Sequence, residues 1–277
     1  MEKILVTINT LTPNKKTMDF ALYLARLTKS RITGVVLENT IAHKIIQRDL
    51  HGFPVGFADN QVAKNKITAG ARIEETISGF KKYCSDNGVL LEIHRDHGVP
   101  IEDVIVESRF SDMLIVDAAS TFSQGKKAFP GLSVEDILEN AQCPVIVAPE
   151  EFEELNEIIF CYNGAFDSIF AIKMFTYLFP QMMHKKLIIL QVNADTERKN
   201  SEDRLFMDWI KSHYDNFQYE LINGPARHTL ADFLFRRKNI FIVMGAYGRD
   251  ALSAFFKKTM AESLVKTITQ PVFISHL

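Results

Sequence analysis

Cysteine is scarce in this chain, and its scarcity gives the first exclusion. Three occur in 277 residues: Cys84, Cys143 and Cys161. Their number is odd and their spacing wide, so a disulfide framework is not expected and a reducing, cytoplasmic setting is. Cys143 and Cys161 stand beside apolar strand runs and read as small core residues. An excess of charge is also lacking. The formal net charge is −2, which gives no general pull toward nucleic acid or an anionic membrane, and neither is expected as a partner. No apolar run reaches the roughly 18 residues that a membrane-spanning helix needs. The opening "MEKILVTINT" enters a strand pattern at once, without the charged and apolar regions of a secretory leader. Metal-ligand spacing is missing too. "HRDH" offers His94 and His97, but residues three apart on a strand point to opposite faces, and no cysteine cluster lies nearby. These histidines read as solvent-facing or loop residues, and no metal site is assigned. No Ser-His-Asp or Cys-His order stands out, and no catalytic residue is assigned.

What is present is a globular composition, 47% hydrophobic and 24% charged, in a chain long enough for one large domain or two of ordinary size. The chain also repeats itself once. "KILVTINT" at Lys3 resembles "EIIFCYNG" at Glu157, which pairs Asn9 with Asn163 at an offset of 154. "MLIVDAAST" resembles "IFIVMGAYG", and "CPVIVAP" resembles "QPVFISH". These pair Ala118 with Gly245 and Pro144 with Pro271, both at an offset of 127. A tandem duplication explains the pattern. It predicts two domains, 1–150 and 151–277, with an acidic linker from Pro149 to Asn156. The first copy is longer by 27 residues, placed at about 40–68. The centre of that insertion, "HGFPVGF", suits a turn with apolar contacts. Its expected role is to cover the first-copy cleft or to reach a partner chain.

Within each copy, short continuous apolar runs alternate with helical periodicity. "ILVTI", "ITGVVL", "VLLEIHR", "DMLIVDA" and "PVIVAP" read as strands buried on both faces. Ile73, Ile77, Phe80 and Tyr83 line one side of an amphipathic helix that Gly88 is expected to stop. Alternation of this kind predicts an α/β fold of two tandem, doubly wound, parallel five-stranded sheets with helices on both faces. The two units are expected to pack as a pseudo-two-fold pair through their last strands, because an unpaired apolar edge invites another strand.

Ligands of such sheets bind outside the carboxyl ends of the strands. In the second copy those ends carry "NGAFDS", with Asn163 and Gly164, then "QVNAD" after Val192, then "GAYG" with Gly245 and Gly248. Glycines after a strand let backbone approach an anion, and successive N–H groups there form an anion-binding nest. Arg249 and Lys258 add positive charge, and Thr259 adds a hydroxyl at the expected start of the last helix.

This layout resembles the tandem universal stress proteins. The resemblance covers nearly the whole chain in two copies and centres on a signature after the fourth strand, G-x2-G-x9-G-[S/T]. Here the signature reads Gly245, Gly248, Lys258 in place of the third glycine, and Thr259. The acidic residue that commonly ends the first strand reads Asn163. The resemblance implies a stress-response regulator that binds an adenine nucleotide, ATP with Mg when the triphosphate binds. It would put Asn163 and the backbone near Val192 against adenine, Gly245 near the ribose, and Gly248, Lys258 and Thr259 along the phosphates. Lys258 either obstructs the triphosphate or pairs with it. In the first copy Asp117, Ala118, Thr121 and Leu132 replace the favourable residues, so that copy is expected not to bind.

Two other classes stay open beside this one. A ligandless scaffold acting through an unknown protein partner needs no intact signature. An ATP-dependent enzyme is suggested by "NGAFDS", which shares Gly164, Asp167 and Ser168 with the S-G-G-x-D-S loop of ATP pyrophosphatases. A helix N-terminus with Asp167 in its first turn explains the same residues. Association into a homodimer has no sequence warrant of its own.

Overall fold

The computed structural model describes residues 1–9, 13–37, 59–95, 100–117, 134–149, 152–193, 202–245 and 270–275. The first half runs β1 (Lys3–Asn9), α1 (Lys15–Thr28), β2 (Arg31–Leu37), α2 (Asp59–Asp86), β3 (Leu91–His94), α3 (Pro100–Ser108), β4 (Met113–Asp117), α4 (Val134–Asn140) and β5 (Val145–Ala148). The second runs β6 (Glu157–Tyr162), α5 (Phe166–Leu178), β7 (Lys186–Asn193), α6 (Asp203–Lys211), β8 (Phe217–Asn223), α7 (Ala226–Phe235), β9 (Ile240–Gly245) and β10 (Val272–Ser275). This is the doubly wound α/β fold expected from the alternation of strand and helix.

The strands form one ten-stranded sheet in the order β3-β2-β1-β4-β5-β10-β9-β6-β7-β8. Neighbours within each half are parallel, and β5 and β10 meet antiparallel. Phe273 opposes Ile146, with Val272 opposite Val147 and Ile274 opposite Val145. By the sequence offset of 127, Phe273 is the counterpart of Ile146. The contact is therefore self-complementary, as a two-fold interface must be.

Successive strand residues feed two different cores. Ile4, Val6 and Ile8 of β1 join one cluster with residues of α1 and α5, while Leu5 joins the other with residues of α3, α4 and α7. Burial on both faces explains why the strands read as continuous apolar runs. Each fully buried large apolar side chain contributes about 1.5–3 kcal/mol. Phe175 of α5 sits in an aromatic nest, with ring centroids 5.0 Å from Phe241, 5.4 Å from Phe273, 5.8 Å from Phe160 and 5.0 Å from Phe179. These contacts pin α5 to β6, β9 and β10 and so fix where its first turn lies.

Two expectations are revised. The helix before Gly88 begins at Asp59, so 59–68, assigned to the insertion, are helical. The remainder of that insertion lies outside the described residues. Within the linker, Leu155 is buried and the Phe152 ring lies 5.2 Å from Phe20 and 4.8 Å from Tyr23. His94 belongs to β3 and bonds Glu107 at 2.6 Å, so it is neither a loop residue nor simply solvent-facing, while His97 is outside the described residues. Among the described residues, no helix is long and apolar enough to cross a membrane.

Candidate functional site

Strand order reverses between β6 and β9. From β6 the chain moves outward to β7 and β8, then returns to β9 on the other side. The carboxyl ends of these two strands therefore flank the crevice where doubly wound sheets take ligands. Asn163 and Gly164 follow β6, Gly245 ends β9, and α5 begins between them. Val192, half-buried near the end of β7, pairs with Ile222. The structure thus gathers Asn163, Gly164, Val192 and Gly245 at the ends of adjacent strands. Gly248, Arg249, Lys258 and Thr259 lie outside the described residues.

The turn from β6 to α5 is short and locally determined. Asn163 Oδ1 accepts the Ala165 backbone N–H at 2.9 Å, closing an Asx turn. Gly164 carries φ 72, a left-handed conformation that favours glycine. The helix then starts with Ala165 at its N-cap, which provides no side-chain cap. Asp167 stands in its first turn, as expected for a helix start. Gly245 has a different reason to be glycine. A Cβ there would lie 2.5 Å from the Asp167 carbonyl carbon, 2.6 Å from its oxygen and 2.7 Å from Ser168 N. The first turn of α5 rests directly on the end of β9.

Sequence reasoning missed a polar network beside this turn. The Tyr162 hydroxyl donates to Asp203 Oδ1 at 2.7 Å, and its ring stacks on Phe206 at 4.0 Å. Burial pushes the Tyr162 hydroxyl well above its ordinary pKa, and the hydrogen bond and charge of Asp203 push it further. The Tyr219 hydroxyl donates to Gln191 Oε1, and Gln191 Nε2 donates to Asn193 Oδ1 at 3.2 Å. The available signal was the appearance of Gln191 and Asn193 at the end of an otherwise apolar strand.

The first half differs at the equivalent place. Ile4 pairs with Met113, and its counterpart Ile158 pairs with Phe241. Leu114 pairs with Val145, while Ile242 pairs with Val272, the counterpart of Val145. Both comparisons relate β4 to β9 by 128 residues, one more than the repeat suggested. The register position of Gly245 is therefore occupied by Asp117, which corrects the pairing with Ala118. Asp117 is buried, and its Oδ1 accepts from Asn14 Nδ2 at 2.9 Å. Asn14 also caps α1, its Oδ1 accepting Lys16 N–H at 3.0 Å. Beside this pair lies a cavity of about 10 Å³, lined in part by Thr17 and Asp117 and large enough for about one water. Ala118, Thr121 and Leu132 are outside the described residues. Among the described residues, no group of three or more candidate ligands could hold a metal ion.

No family model and no curated protein matches the chain. Solved structures do resemble it. A universal stress protein from Archaeoglobus fulgidus is 16% identical, with a TM-score of 0.62 over 98% of this chain and 95% of that one. A second protein assigned to the universal stress family, from Pseudomonas aeruginosa, is 15% identical, with a TM-score of 0.55 over 99% and 92%. A protein of unknown function from the same species is 14% identical, with a TM-score of 0.52 over 99% and 92%. At these identities the likeness is one of fold, and it extends over nearly the full length of each chain.

Proposed function

We propose that this chain is a regulatory protein of the universal stress type that binds a nucleotide at the ends of β6 and β9. ATP is the form that the family resemblance implies. The observation that carries the reading is the asymmetry at the two switch points. The second half has Gly245, a short Asx turn and a helix start without a side-chain cap. The first half places the carboxylate of Asp117 at the same register position, which repels a polyphosphate. The described residues fit a nucleotide to this extent. The crevice lies where the fold takes ligands, and α5 directs its positive end toward it. Phosphate contacts would fall to Gly248, Arg249, Lys258 and Thr259, with Mg accompanying a triphosphate. The role is binding and signalling rather than catalysis, and the two repeats act as an internal pair. The full-length likeness to universal stress structures supports this reading.

The test is extraction of nucleotide from the purified chain, followed by calorimetric titration of the stripped protein. One nucleotide per chain is expected, with binding weakened by Gly248→Val and unaffected by Thr121→Val. Two per chain, or none, refutes the reading. A chain that binds none while retaining its fold fits the ligandless scaffold instead.

A further inference from the structure

We propose that the cavity beside Asp117 holds one ordered water, which bridges the Thr17 hydroxyl to the Asp117 carboxylate and closes the first-half crevice from within. The proposal does not depend on a nucleotide in the second half. Its starting point is a hydroxyl without a partner. Thr17 is 3% exposed, and among the described residues its Oγ1 has no hydrogen-bond partner. A buried hydroxyl left in that state is costly, and native proteins satisfy such groups with protein or with ordered water.

Position in the helix explains why Thr17 is left over. Buried threonines later in their helices donate to the carbonyl four residues back, Thr28 to Leu24 at 2.7 Å and Thr176 to Ile172 at 2.8 Å. Thr17 is the third residue of α1, so the residue four back, Pro13, precedes the helix. Its counterpart Ser168, the third residue of α5, donates instead to the Ala165 carbonyl at 2.7 Å. That helix start also rests directly on Gly245. In the first half the turn before the helix is longer, and a cavity of about 10 Å³ lined in part by Asn14, Thr17 and Asp117 stays open there. The space suits about one water.

The lining also suits one. The Thr17 hydroxyl can donate or accept, and a carboxylate offers about four acceptor positions, more than Asn14 Nδ2 alone fills. A water can donate to Asp117 and pair with Thr17 at once. A cation would stand at the positive end of the α1 dipole, which disfavours it. The trapped water fills, in the first half, the gap that direct contact closes in the second.

A crystal structure of the full chain, fine enough to show bound water, tests this. Density for one water within roughly 2.5–3.2 Å of both Thr17 Oγ1 and the Asp117 carboxylate is expected. A dry cavity, or a protein group on Thr17 Oγ1, overturns the proposal, and no variant is needed. Thermal denaturation of Thr17→Val, which removes the hydroxyl at nearly constant volume, reads the same question by sign. Loss of a water bridge lowers the melting temperature by roughly 2–4 °C for a chain of this size. An unchanged or raised melting temperature is the mark of an orphaned hydroxyl and overturns the proposal. The wild type is expected to melt alike in sodium, potassium and choline chloride at equal ionic strength. A rise specific to sodium or potassium assigns the cavity to a cation and overturns the water.

Discussion

Replacing Gly245 with alanine tests whether the helix–strand contact at the candidate site is as close as described. Among the described residues the positive-φ glycines are Gly88, Gly164 and Gly224; Gly245 is not one of them, so its backbone suits alanine. Space is the constraint. The added Cβ would stand 2.5 Å from the Asp167 carbonyl carbon, 2.6 Å from its oxygen and 2.7 Å from Ser168 N. These are backbone atoms, so no rotamer change relieves the overlap, and α5 itself must move. Phe175 resists that movement through its aromatic neighbours. Overpacking of this kind costs about 1–3 kcal/mol. Loss of glycine entropy from the unfolded chain returns about 0.4–1 kcal/mol. A net loss of about 1–2 kcal/mol remains, or a melting temperature lower by roughly 2–8 °C for a chain of this size. Gly79 provides the opposite case. It is exposed within α2, and an added Cβ there meets nothing within 4 Å. Gly79→Ala is therefore expected to stabilise by about 0.5–1 kcal/mol. Thermal denaturation followed by circular dichroism reads both variants. A Gly245→Ala chain that melts at or above the wild type would refute the close approach of α5 to β9.

Two further predictions concern the described core and surface. Burial alone would raise the Glu107 pKa, but hydrogen bonds and charges from His94 at 2.6 Å and Lys3 at 3.2 Å outweigh it and hold the carboxyl below its ordinary value. A depressed folded-state pKa stabilises above the unfolded value of about 4.3, and that contribution is lost as pH falls through the folded value. The melting curves of wild type and Glu107→Gln should therefore lie apart near neutrality and converge in acid; parallel dependence on pH would refute the pairing. Burial also pushes the thiol of Cys84 up to about 11 and those of Cys143 and Cys161 up to about 12, Asp112 adding to the effect at Cys143. Iodoacetamide at pH 8 should leave the native chain largely unmodified and label the guanidinium-denatured chain fully; rapid native labelling would refute the burial of these thiols.

The strands were legible because burial on both faces leaves the same mark wherever it occurs, an unbroken run such as "ILVTI". The helix start after Asn163 was legible too, since Asp167 suits a first helical turn. What the sequence hid is what depends on contacts distant in the chain. Phe152 lies in an acidic segment, and no local pattern states that it packs on Phe20 and Tyr23 of α1. His94 and Glu107 are 13 residues apart, on a strand and a helix whose relative position no local pattern states. The strand register was hidden as well. Matching letters favoured Ala118 opposite Gly245, but pairing with β1 on one side and β5 on the other sets the equivalence at Asp117.

That one-residue correction ties two differences between the halves into one. Helix α5 starts three residues after Asn163, whereas α1 starts six after Asn9. The short turn draws the first turn of α5 onto the end of β9, where only glycine leaves room. The longer turn lets α1 start later along the chain, so the equivalent position on β4 can hold a side chain. Asp117 occupies it and is held by Asn14 at the N-cap of α1, where the helix dipole favours a carboxylate. The carboxylate, the capping asparagine and the longer turn thus form one device, and Gly245 with the short turn forms the other. Asp117→Gly alone would remove the charge but leave the longer turn and the displaced helix start. It would not rebuild in the first half the crevice that the second half has. Conversely, the second half cannot take an aspartate at 245 without lengthening the turn after Asn163. The two halves therefore differ in loop length, and the residues at the ends of β4 and β9 go with that difference.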